Sequence, residues 1–437
     1  MENLNRRGFI KSSSGLVGAA ALTSGVVGKV FAGGSDVIKI ALIGCGGRGT
    51  GATFDAFASG QNIQLVAMAD AFKDNLDQTY KTLKEKFGDK INVPDSRKYV
   101  GFDAYKAAIA DADVVLLTTP PGFRPLHFAE AVRAGKHVFM EKAVATDIPG
   151  VRSVLETAKE ARRKKLNVVV GLQRRYQNNY REAIKRIHDG AIGDVVAGQV
   201  YWNSGGVWVR PRKPGQTEME YQMRNWYYFN WLCGDHIVEQ HVHNIDIANW
   251  VKGKYPVSIQ GTGSRAHRTG KEYGEIYDNF ALEMTYDDGS VVYSQCRHFE
   301  GISNRVDETF QATKGRVYLS ASNQAILWDA QGKEIYRHNT KGNPNPYQQE
   351  HKELFEAIAK GEYKFDNAEY GAYSSLAGII GRIAVYTGKV IKWDEAMKSN
   401  IDLMPDRLAW DAMPKVVPNA DGFYPVAVPG HDVEKFI

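Results

Sequence analysis

The sequence has few cysteines, no strong charge bias and no long apolar run in most of its length. Only three of its 437 residues are cysteines, none of them in a CxxC pair, which excludes a disulfide framework. After residue 32 no segment reaches 18 consecutive apolar residues, so we expect the remaining chain to be soluble rather than membrane-spanning. The formal net charge of +5 gives no reason to expect a nucleic-acid partner. With 43% hydrophobic residues, the composition is that of a globular protein large enough for two domains.

Residues 1–32 have the order of a targeting signal. The twin arginine Arg6–Arg7 stands in "NRRGFIK", ahead of the weakly apolar "GLVGAAALTSGVVG" and the small-residue site "VFA". Charged, apolar and small segments in this order predict a secretory signal peptide, and the arginine pair predicts the twin-arginine route. We therefore expect the twin-arginine export machinery as a partner and the periplasm as the location. The alternative is a retained anchor helix that keeps the protein at the membrane.

A glycine-rich turn follows the first predicted strand. The pattern Gly44-x-Gly46-x-x-Gly49 lies between the apolar run 37–43 and a small-residue helix, the context in which this motif binds a dinucleotide pyrophosphate. The next predicted strand ends at Asp70, where a carboxylate accepts hydrogen bonds from ribose hydroxyls and repels a 2′-phosphate. This favours NAD(H) as the cofactor, with a simple helix cap as the alternative role of Asp70.

The order of strand and helix patterns predicts an α/β protein. Patterns alternate up to about residue 150, which predicts a Rossmann domain with a parallel sheet over 36–160. An α+β domain over 161–400 follows, with a large, predominantly antiparallel open sheet. Period-two alternation places its strands at 194–202, 256–263, 278–286, 290–299, 305–312 and 315–320. The tail 401–437 is expected to wrap the surface or to reach a neighbouring subunit.

The stretch "AGKHVFMEKAVATDIPGVRSVLETAKE" resembles the glucose–fructose oxidoreductase / inositol dehydrogenase family (Gfo/Idh/MocA). Glu141 and Lys142 match the family's E-K-P motif, whereas Ala143 replaces the usual proline. The resemblance extends to "VVVGLQRRYQNNY" and "GRIAVYTGKVIKWDEA". It implies a Lys142 close to the nicotinamide and the sugar, and a homo-oligomer, dimer or tetramer, whose interface includes the open sheet. The predicted cofactor residues are Gly44, Gly46, Gly47, Arg48, Gly49, Asp70, Thr119, Pro120, Glu141 and Lys142.

A cluster of acidic residues and histidines in "EQHVHNIDIANW" matches a second family motif, D-x-x-x-H-x-x-D. Glu239, His243 and Asp246 occupy its positions, and spacings of four and three put them on one face of a predicted helix. The resemblance implies that His243 contacts the sugar and shares proton transfer with Lys142, while Glu239 orients His243. A metal site is disfavoured because His241 and His243 would point about 160° apart on a helix. Core packing of His243, or a surface position for Lys142, is the structural alternative.

The segment 203–236 is rich in aromatic residues and arginine. Aromatic rings offer flat apolar faces to a pyranose, and guanidinium groups offer forked donors, although any one of these rings could simply pack under a long loop. The "RPRK" run gives weak support to an anionic sugar. The predicted substrate residues are Arg175, Tyr176, Trp208, Arg224, Trp226, His236, His241 and Asp246.

These observations predict an exported NAD(H)-dependent oxidoreductase acting on a secondary hydroxyl or keto group of a sugar or sugar derivative. Because NAD is scarce outside the cytoplasm, we expect it to be loaded before export and tightly bound. One alternative is a redox-neutral NAD-dependent glycosidase, which oxidises a sugar carbon transiently and cleaves by elimination. Another is a non-catalytic sugar-binding protein.

Overall fold

A computed structural model of the protein describes residues 37–431. The predicted signal peptide, residues 1–32, lies outside this range. No helix within it is both long enough and apolar enough to span a bilayer.

The first domain is built on a six-stranded parallel sheet with the order β3-β2-β1-β4-β5-β6. Its strands are β1 (Ile38–Ile43), β2 (Ile63–Asp70), β3 (Lys98–Val100), β4 (Val114–Leu117), β5 (His137–Met140) and β6 (Val168–Val170). The connecting helices are α1 (Gly47–Phe57), α2 (Lys73–Phe87), α3 (Ala104–Ala110), α4 (Arg124–Arg133) and α5 (Ile148–Arg163). Almost every residue of β1, β4 and β5 is buried, as expected for strands with helices on both faces. The parallel sheet predicted from the alternating pattern is confirmed, and it continues past residue 160 to include β6.

The second domain contains a nine-stranded sheet with the order β14-β13-β12-β11-β7-β10-β9-β8-β15. Its strands are β7 (Val195–Ser204), β8 (Ser258–Ser264), β9 (Asn279–Thr285), β10 (Val291–His298), β11 (Arg305–Ala312), β12 (Gly315–Ser320), β13 (Gln324–Asp329), β14 (Glu334–Arg337) and β15 (Ile391–Lys392). Only β7 and β10 pair in parallel, so the predicted, predominantly antiparallel sheet is confirmed. Strands β13 to β15 have no counterpart in the sequence prediction; β14 and β15 are short strands at the two edges of the sheet, and in β13 the consecutive residues 325–327 are all buried, without period-two alternation.

The helices of the second domain are α6 (Asn178–His188), α7 (Glu218–Arg224), α8 (Asn230–Cys233), α9 (His236–Glu239), α10 (Val242–Lys252), α11 (Pro346–Ala359), α12 (Ala368–Thr387) and α13 (Trp393–Ala396). Helix α12 is buried along nearly all its length, since it lies between α5 and β8. Helix α11 follows the second sheet in sequence but packs on α1 of the first domain. There Leu354, Phe355 and Ile358 join the core that also contains Leu42 and Phe139.

The predicted helix through the acidic and histidine cluster is interrupted. Helix α9 ends at Glu239, and α10 begins at Val242, so the expectation of one continuous helical face is wrong. The amide of His243 donates to Gln240 O rather than to Glu239 O. The Glu239 carbonyl instead accepts a hydrogen bond of 2.5 Å from Lys142 Nζ. A long-range contact has therefore replaced the local helical bond.

Candidate active site

The glycine turn after β1 has the close contacts that its motif requires. Gly44 has φ +98°, and a Cβ at Gly49 would lie 2.0 Å from the Gly44 carbonyl oxygen. Gly46 and Gly47, in contrast, have open space where a Cβ would point. Gly46 precedes the first turn of α1, whose free N–H groups favour a phosphate. The residues present therefore fit a dinucleotide pyrophosphate.

Asp70 lies at the end of β2, on the rim of the same turn. Its carboxylate accepts hydrogen bonds from Cys45 N at 2.6 Å and from Phe72 N at 2.8 Å. Burial raises the pKa of Asp70 above its usual range, although both backbone bonds oppose the shift. The two bonds hold the carboxylate beside the turn, where a ribose would lie.

The loop with Thr119 and Pro120 follows β4 and forms the opposite rim. Fully buried Arg124 holds this loop, since it donates to Leu117 O at 2.6 Å and to Thr119 O at 2.5 Å. Desolvation lowers the pKa of Arg124 to about 10. His127 Nδ1 lies 3.2 Å from Thr119 Oγ1. Neither Arg124 nor His127 was predicted, because both lie on a helix whose pattern indicates only amphipathic packing.

A cleft of about 1050 Å³ opens over the carboxyl ends of β1, β2 and β4. The predicted cofactor residues that line it are Gly44, Gly46, Gly47, Arg48, Asp70, Thr119 and Pro120. Three predicted substrate residues, Trp208, Arg224 and Trp226, line the same cleft. The structure thus brings these three side chains to the cofactor residues rather than to Lys142 and His243.

Arg48 ties the glycine turn to the end of β5. Its guanidinium donates to the Glu141 carboxylate, lies 3.3 Å from Asp55 and approaches Glu350 at 4.0 Å. Glu350 is fully buried, and its two carboxylate oxygens have no hydrogen-bond partner. Burial and the neighbouring Glu141 charge raise its pKa well above the usual range. Glu141 and Arg48 therefore fix the position of the segment that carries Lys142.

Lys142 follows directly, and its peptide bond to Ala143 is cis. Its Nζ lies 2.7 Å from Glu239 Oε1, in addition to its bond to the Glu239 carbonyl. Both side chains are nearly buried, with exposures of 12% and 8%. Burial raises the pKa of Glu239, and Lys142 opposes this shift. The other carboxylate oxygen of Glu239 is buried and has no hydrogen-bond partner in residues 37–431, so it can accept a hydrogen bond from a ligand.

His243 lies on the first turn of α10, close to Lys142. Its ring stacks on Trp202 with centroids 5.9 Å apart, and its Nδ1 is buried without a hydrogen-bond partner. Burial, reinforced by the Lys142 charge, lowers the pKa of His243 well below 6.5. The imidazole is therefore neutral near pH 7. Glu239 bonds Lys142, and within the described part of the chain no hydrogen bond joins it to His243, so the expected orienting contact is not seen.

Two predicted substrate residues bind each other. Arg175 forms a two-point ion pair with Asp246, at 2.9 and 2.8 Å, and Ser374 Oγ donates to the same carboxylate at 2.8 Å. The Arg175 guanidinium also lies over the Tyr370 ring, 4.1 Å from its centroid. The pair raises the pKa of Arg175 despite its burial. Tyr176, next in sequence, is buried and donates to Asn367 at 2.6 Å.

The remaining predicted histidines are fully buried around the start of α9. His236 Nδ1 lies 3.0 Å from Asp235 Oδ1, and its ring lies against His298 at 4.4 Å. His241 Nε2 lies 2.6 Å from Ser294 Oγ, and desolvation lowers its pKa to about 3. Among the buried polar atoms that have no hydrogen-bond partner in residues 37–431 are His236 Nε2, His241 Nδ1, His243 Nδ1, Glu239 Oε2 and Tyr227 Oη.

Tyr227 and His298 extend this polar group beyond the predicted residues. Their rings stack with centroids 5.8 Å apart. Sequence reasoning missed His298 because it stands alone on a strand, whereas it included Tyr227 only as one of the aromatic residues of the segment 203–236. In residues 37–431, no group of three or more His, Cys, Asp or Glu side chains is placed to hold a metal ion.

Two family models match the chain. "Oxidoreductase family, NAD-binding Rossmann fold" matches residues 38–171, and "GFO/IDH/MocA C-terminal domain" matches residues 180–318. Together they span more than half of the sequence. The first covers the glycine turn, Asp70 and Lys142, and the second covers Glu239, His243 and most of the open sheet.

The individual relatives have low sequence identity to this chain, and the two described here match 66% and 46% of its length. An inositol 2-dehydrogenase of Rhizobium meliloti is 26% identical over 66% of this chain and 76% of its own length. A glycosyl hydrolase family 109 protein of Shewanella baltica is 26% identical, with 46% of each chain covered.

Solved structures show the shared fold. The structure of an aldose–aldose oxidoreductase from Caulobacter crescentus superposes on 82% of this chain over 100% of its own length, with a TM-score of 0.63 at 20% identity. A levoglucosan dehydrogenase, solved with NADH and levoglucosan, gives a TM-score of 0.63 at 16% identity, with 82% and 99% of the two chains covered. On the evidence of the two family models, the chain belongs to the GFO/IDH/MocA family of NAD-binding oxidoreductases.

Proposed function

We propose that the protein is an exported oxidoreductase that uses NAD to oxidise a secondary hydroxyl group of a sugar or polyol. The observation that carries the proposal is the Lys142–Glu239 pair close to neutral His243, amid buried polar atoms without partners. Such atoms cost free energy unless a ligand satisfies them. A ligand with several hydroxyl groups can both donate to and accept from them. The relatives named for inositol, aldoses and levoglucosan support the same substrate class.

The residues present can share the proton that must leave the hydroxyl group. Bound NAD supplies the hydride acceptor. Lys142, held by Glu239, donates a hydrogen bond to the reacting oxygen and stabilises the negative charge that develops there. His243 accepts the proton, since its imidazole is neutral and its Nδ1 has no protein partner. Glu239 thereby acts as a positioning residue for Lys142.

Export, tight cofactor binding and assembly are further parts of the proposal. Export rests on Arg6–Arg7 and the apolar run behind them. The twin-arginine machinery carries folded proteins, so NAD bound in the cytoplasm would travel with the chain to the periplasm. If the signal is not cleaved, the protein stays at the membrane. The open sheet offers a broad face for a homo-oligomer, dimer or tetramer.

A redox-neutral glycosidase is the second candidate. It is favoured by the 26% identity to glycosyl hydrolase family 109 proteins, which covers about half of their length. In this mechanism the hydride removed from the sugar returns to it after the glycosidic bond breaks by elimination. The same Lys142 and His243 would serve both reactions, so the products must distinguish them.

The test is to purify the full chain without added nucleotide, identify its cofactor by mass spectrometry, and add free sugars, polyols and aryl glycosides. An oxidoreductase changes the 340 nm band with a free sugar or polyol and releases no aryl group. A glycosidase releases the aryl group with no lasting 340 nm change. If a sugar binds but neither signal appears, and Lys142→Ala leaves its affinity unchanged, the protein is a binding protein and the proposal is wrong.

A further inference from the structure

The cofactor cleft has a second wall that does not belong to the Rossmann domain. The cleft is lined there by residues 208–211 and 213–216, with Glu220, Met223, Arg224 and Trp226, in addition to Asp70, Phe72 and Phe102. Trp208 and Trp226 stand edge to face with centroids 5.7 Å apart. Trp208 is 40% exposed, so part of its ring is accessible to a ligand in the cleft.

A salt bridge fastens this wall beside Asp70. Arg224 donates two hydrogen bonds to Asp74, at 2.8 and 2.9 Å. Its guanidinium also lies over the Phe72 ring, 3.7 Å from the centroid. Asp74 lies on α2, directly after the loop that carries Asp70, so the contact joins the two domains at the ribose end of the cleft.

The C-terminal tail, residues 403–424, packs against the residues that form this part of the cleft. Trp410 packs against Phe72 at 5.0 Å and Phe102 at 4.6 Å, and both of these rings line the cleft. Tyr424, further along the tail, bonds Arg212 at 2.9 Å. The tail residues Leu403, Met404, Leu408 and Val416 pack on the core formed by Phe72, Phe123 and the 219–233 segment.

The wall also brings positive charge to the cleft. Arg210 and Lys213 line it, and within residues 37–431 neither forms an ion pair with a carboxylate. Arg210 lies over the Trp208 ring, 5.3 Å from the centroid. The pyrophosphate of a dinucleotide carries two negative charges, which these cations can balance.

We propose that the 208–226 segment, backed by the tail 403–424, is the second wall of the NAD site and holds the adenosine half and the pyrophosphate. Trp208 and Trp226 cover the adenosine, Arg210 and Lys213 face the pyrophosphate, and Arg224–Asp74 keeps the wall closed. Trp208, Arg224 and Trp226 are thus assigned to the cofactor rather than to the sugar. The wall slows the release of NAD, as an enzyme that works away from the cytoplasmic NAD pool requires.

Release of NADH tests the proposal without any sugar. The full chain is loaded with NADH and chased with excess NAD+, and the loss of energy transfer from tryptophan to NADH gives the dissociation rate. We expect Asp74→Ala to raise that rate about two- to fivefold. The matched control is Asp77→Ala on the same helix, which should leave the rate unchanged, because the Asp77 carboxylate forms its ion pair with exposed Lys73.

Two further variants separate the parts of the wall. Trp208→Ala removes a stacking surface, and we expect NADH affinity to fall about tenfold or more. Arg210→Ala with Lys213→Ala should weaken NADH most at low salt, where the charges are least screened. If Asp74→Ala destabilises the fold, the Arg224→Lys variant is measured instead. Lysine keeps the positive charge but cannot form the two-point contact with Asp74.

The contrary result is equally clear. If the wall variants release NADH at the unaltered rate while the KM for the sugar rises, the segment belongs to the substrate site and the proposal is wrong. Unaltered NADH release together with an unaltered KM also overturns it. Because the assay uses NADH alone, failure here leaves the proposed sugar oxidation untouched, and the reverse also holds.

Discussion

The cofactor half of the candidate site is built on a local backbone turn, whereas the candidate substrate half depends on side chains that meet across long stretches of sequence. Gly44, Gly46 and Gly49 lie within six residues, and their role is to leave space. Lys142 and Glu239, in contrast, are 97 residues apart and meet at 2.7 Å. The first arrangement can be read from local spacing, but the second depends on how two domains pack.

The two halves should therefore fail in different ways. A change in the substrate half should abolish turnover before it weakens cofactor binding, because Lys142 is linked to the glycine turn through the neighbouring Glu141–Arg48 ion pair and not through its own side chain. A change in the cofactor half should weaken the nucleotide or the fold first, because there a single added carbon meets backbone atoms.

The largest effect is expected for Lys142→Ala. Removal of the ammonium group takes away the donor to the reacting oxygen, and turnover should fall about 10²- to 10⁴-fold. NADH binding, measured by fluorescence, should change little by comparison. Glu239→Gln is the matched variant, since it keeps the shape and removes the charge that holds Lys142. An intermediate loss of turnover would fit a positioning role, and full turnover in either variant would contradict the proposed mechanism.

A second prediction concerns Gly49→Ala. Its Cβ would lie 2.0 Å from the Gly44 carbonyl oxygen, so the turn must shift, at a cost of about 1–3 kcal/mol in the free energy of unfolding. Gly47→Ala is the control, since nothing lies within 4 Å of that Cβ. Thermal unfolding of the apoprotein should separate the two variants. Equal melting temperatures would mean that the close approach at Gly49 does not constrain the fold.

The same contrast explains what the sequence could predict. The parallel sheet, the glycine turn and Asp70 follow from local pattern, and the structure places them as expected. The interruption between α9 and α10 could not be predicted from local pattern. It occurs where Lys142 donates a hydrogen bond to the Glu239 carbonyl, which a continuous helix would have paired with the His243 amide. The sequence did not indicate how deeply Trp208 and Trp226 are buried. The packing of the 208–226 segment places both rings in the lining of the cofactor cleft. Arg124 and His298 gave no local signal at all.

A third prediction concerns the pair Arg175–Asp246, which the sequence assigned to the substrate. Asp246→Ala leaves the guanidinium, whose side chain is 16% exposed, without its partner. The free energy of unfolding should fall by about 3–5 kcal/mol. The exposed pair Lys185–Asp189 is the control, with side-chain exposures of 71% and 59%, and its loss should cost less than about 1 kcal/mol. If Asp246→Ala instead keeps its stability and loses sugar affinity, the pair binds substrate directly.

The smallest effects are expected in the response to acid, because burial shifts the pKa values of Asp70 and His243 in opposite directions. Asp70 must be ionised to accept from ribose, and burial raises its pKa above 3.8. NADH affinity should therefore weaken on acidification at a higher pH than an ordinary aspartate would give. His243 must be neutral to take a proton, and burial lowers its pKa well below 6.5. Turnover at saturating NAD should therefore stay constant as the pH falls through 6.5, and decline only below it.

Two titrations with matched variants distinguish the acid limb of NADH binding from the acid limb of turnover, that is, the loss of each as the pH falls. Asp70→Ser should flatten the acid limb of NADH binding measured by fluorescence, since serine does not titrate. His243→Asn should remove the acid limb from the turnover profile and leave the binding limb in place. If turnover of the unaltered enzyme already falls with a midpoint near 6.5, the imidazole titrates as if it were in water. That result would contradict the desolvation of His243 but not its role as proton acceptor. If the acid limb of turnover instead survives in His243→Asn, His243 is not the proton acceptor and Lys142 carries that role alone.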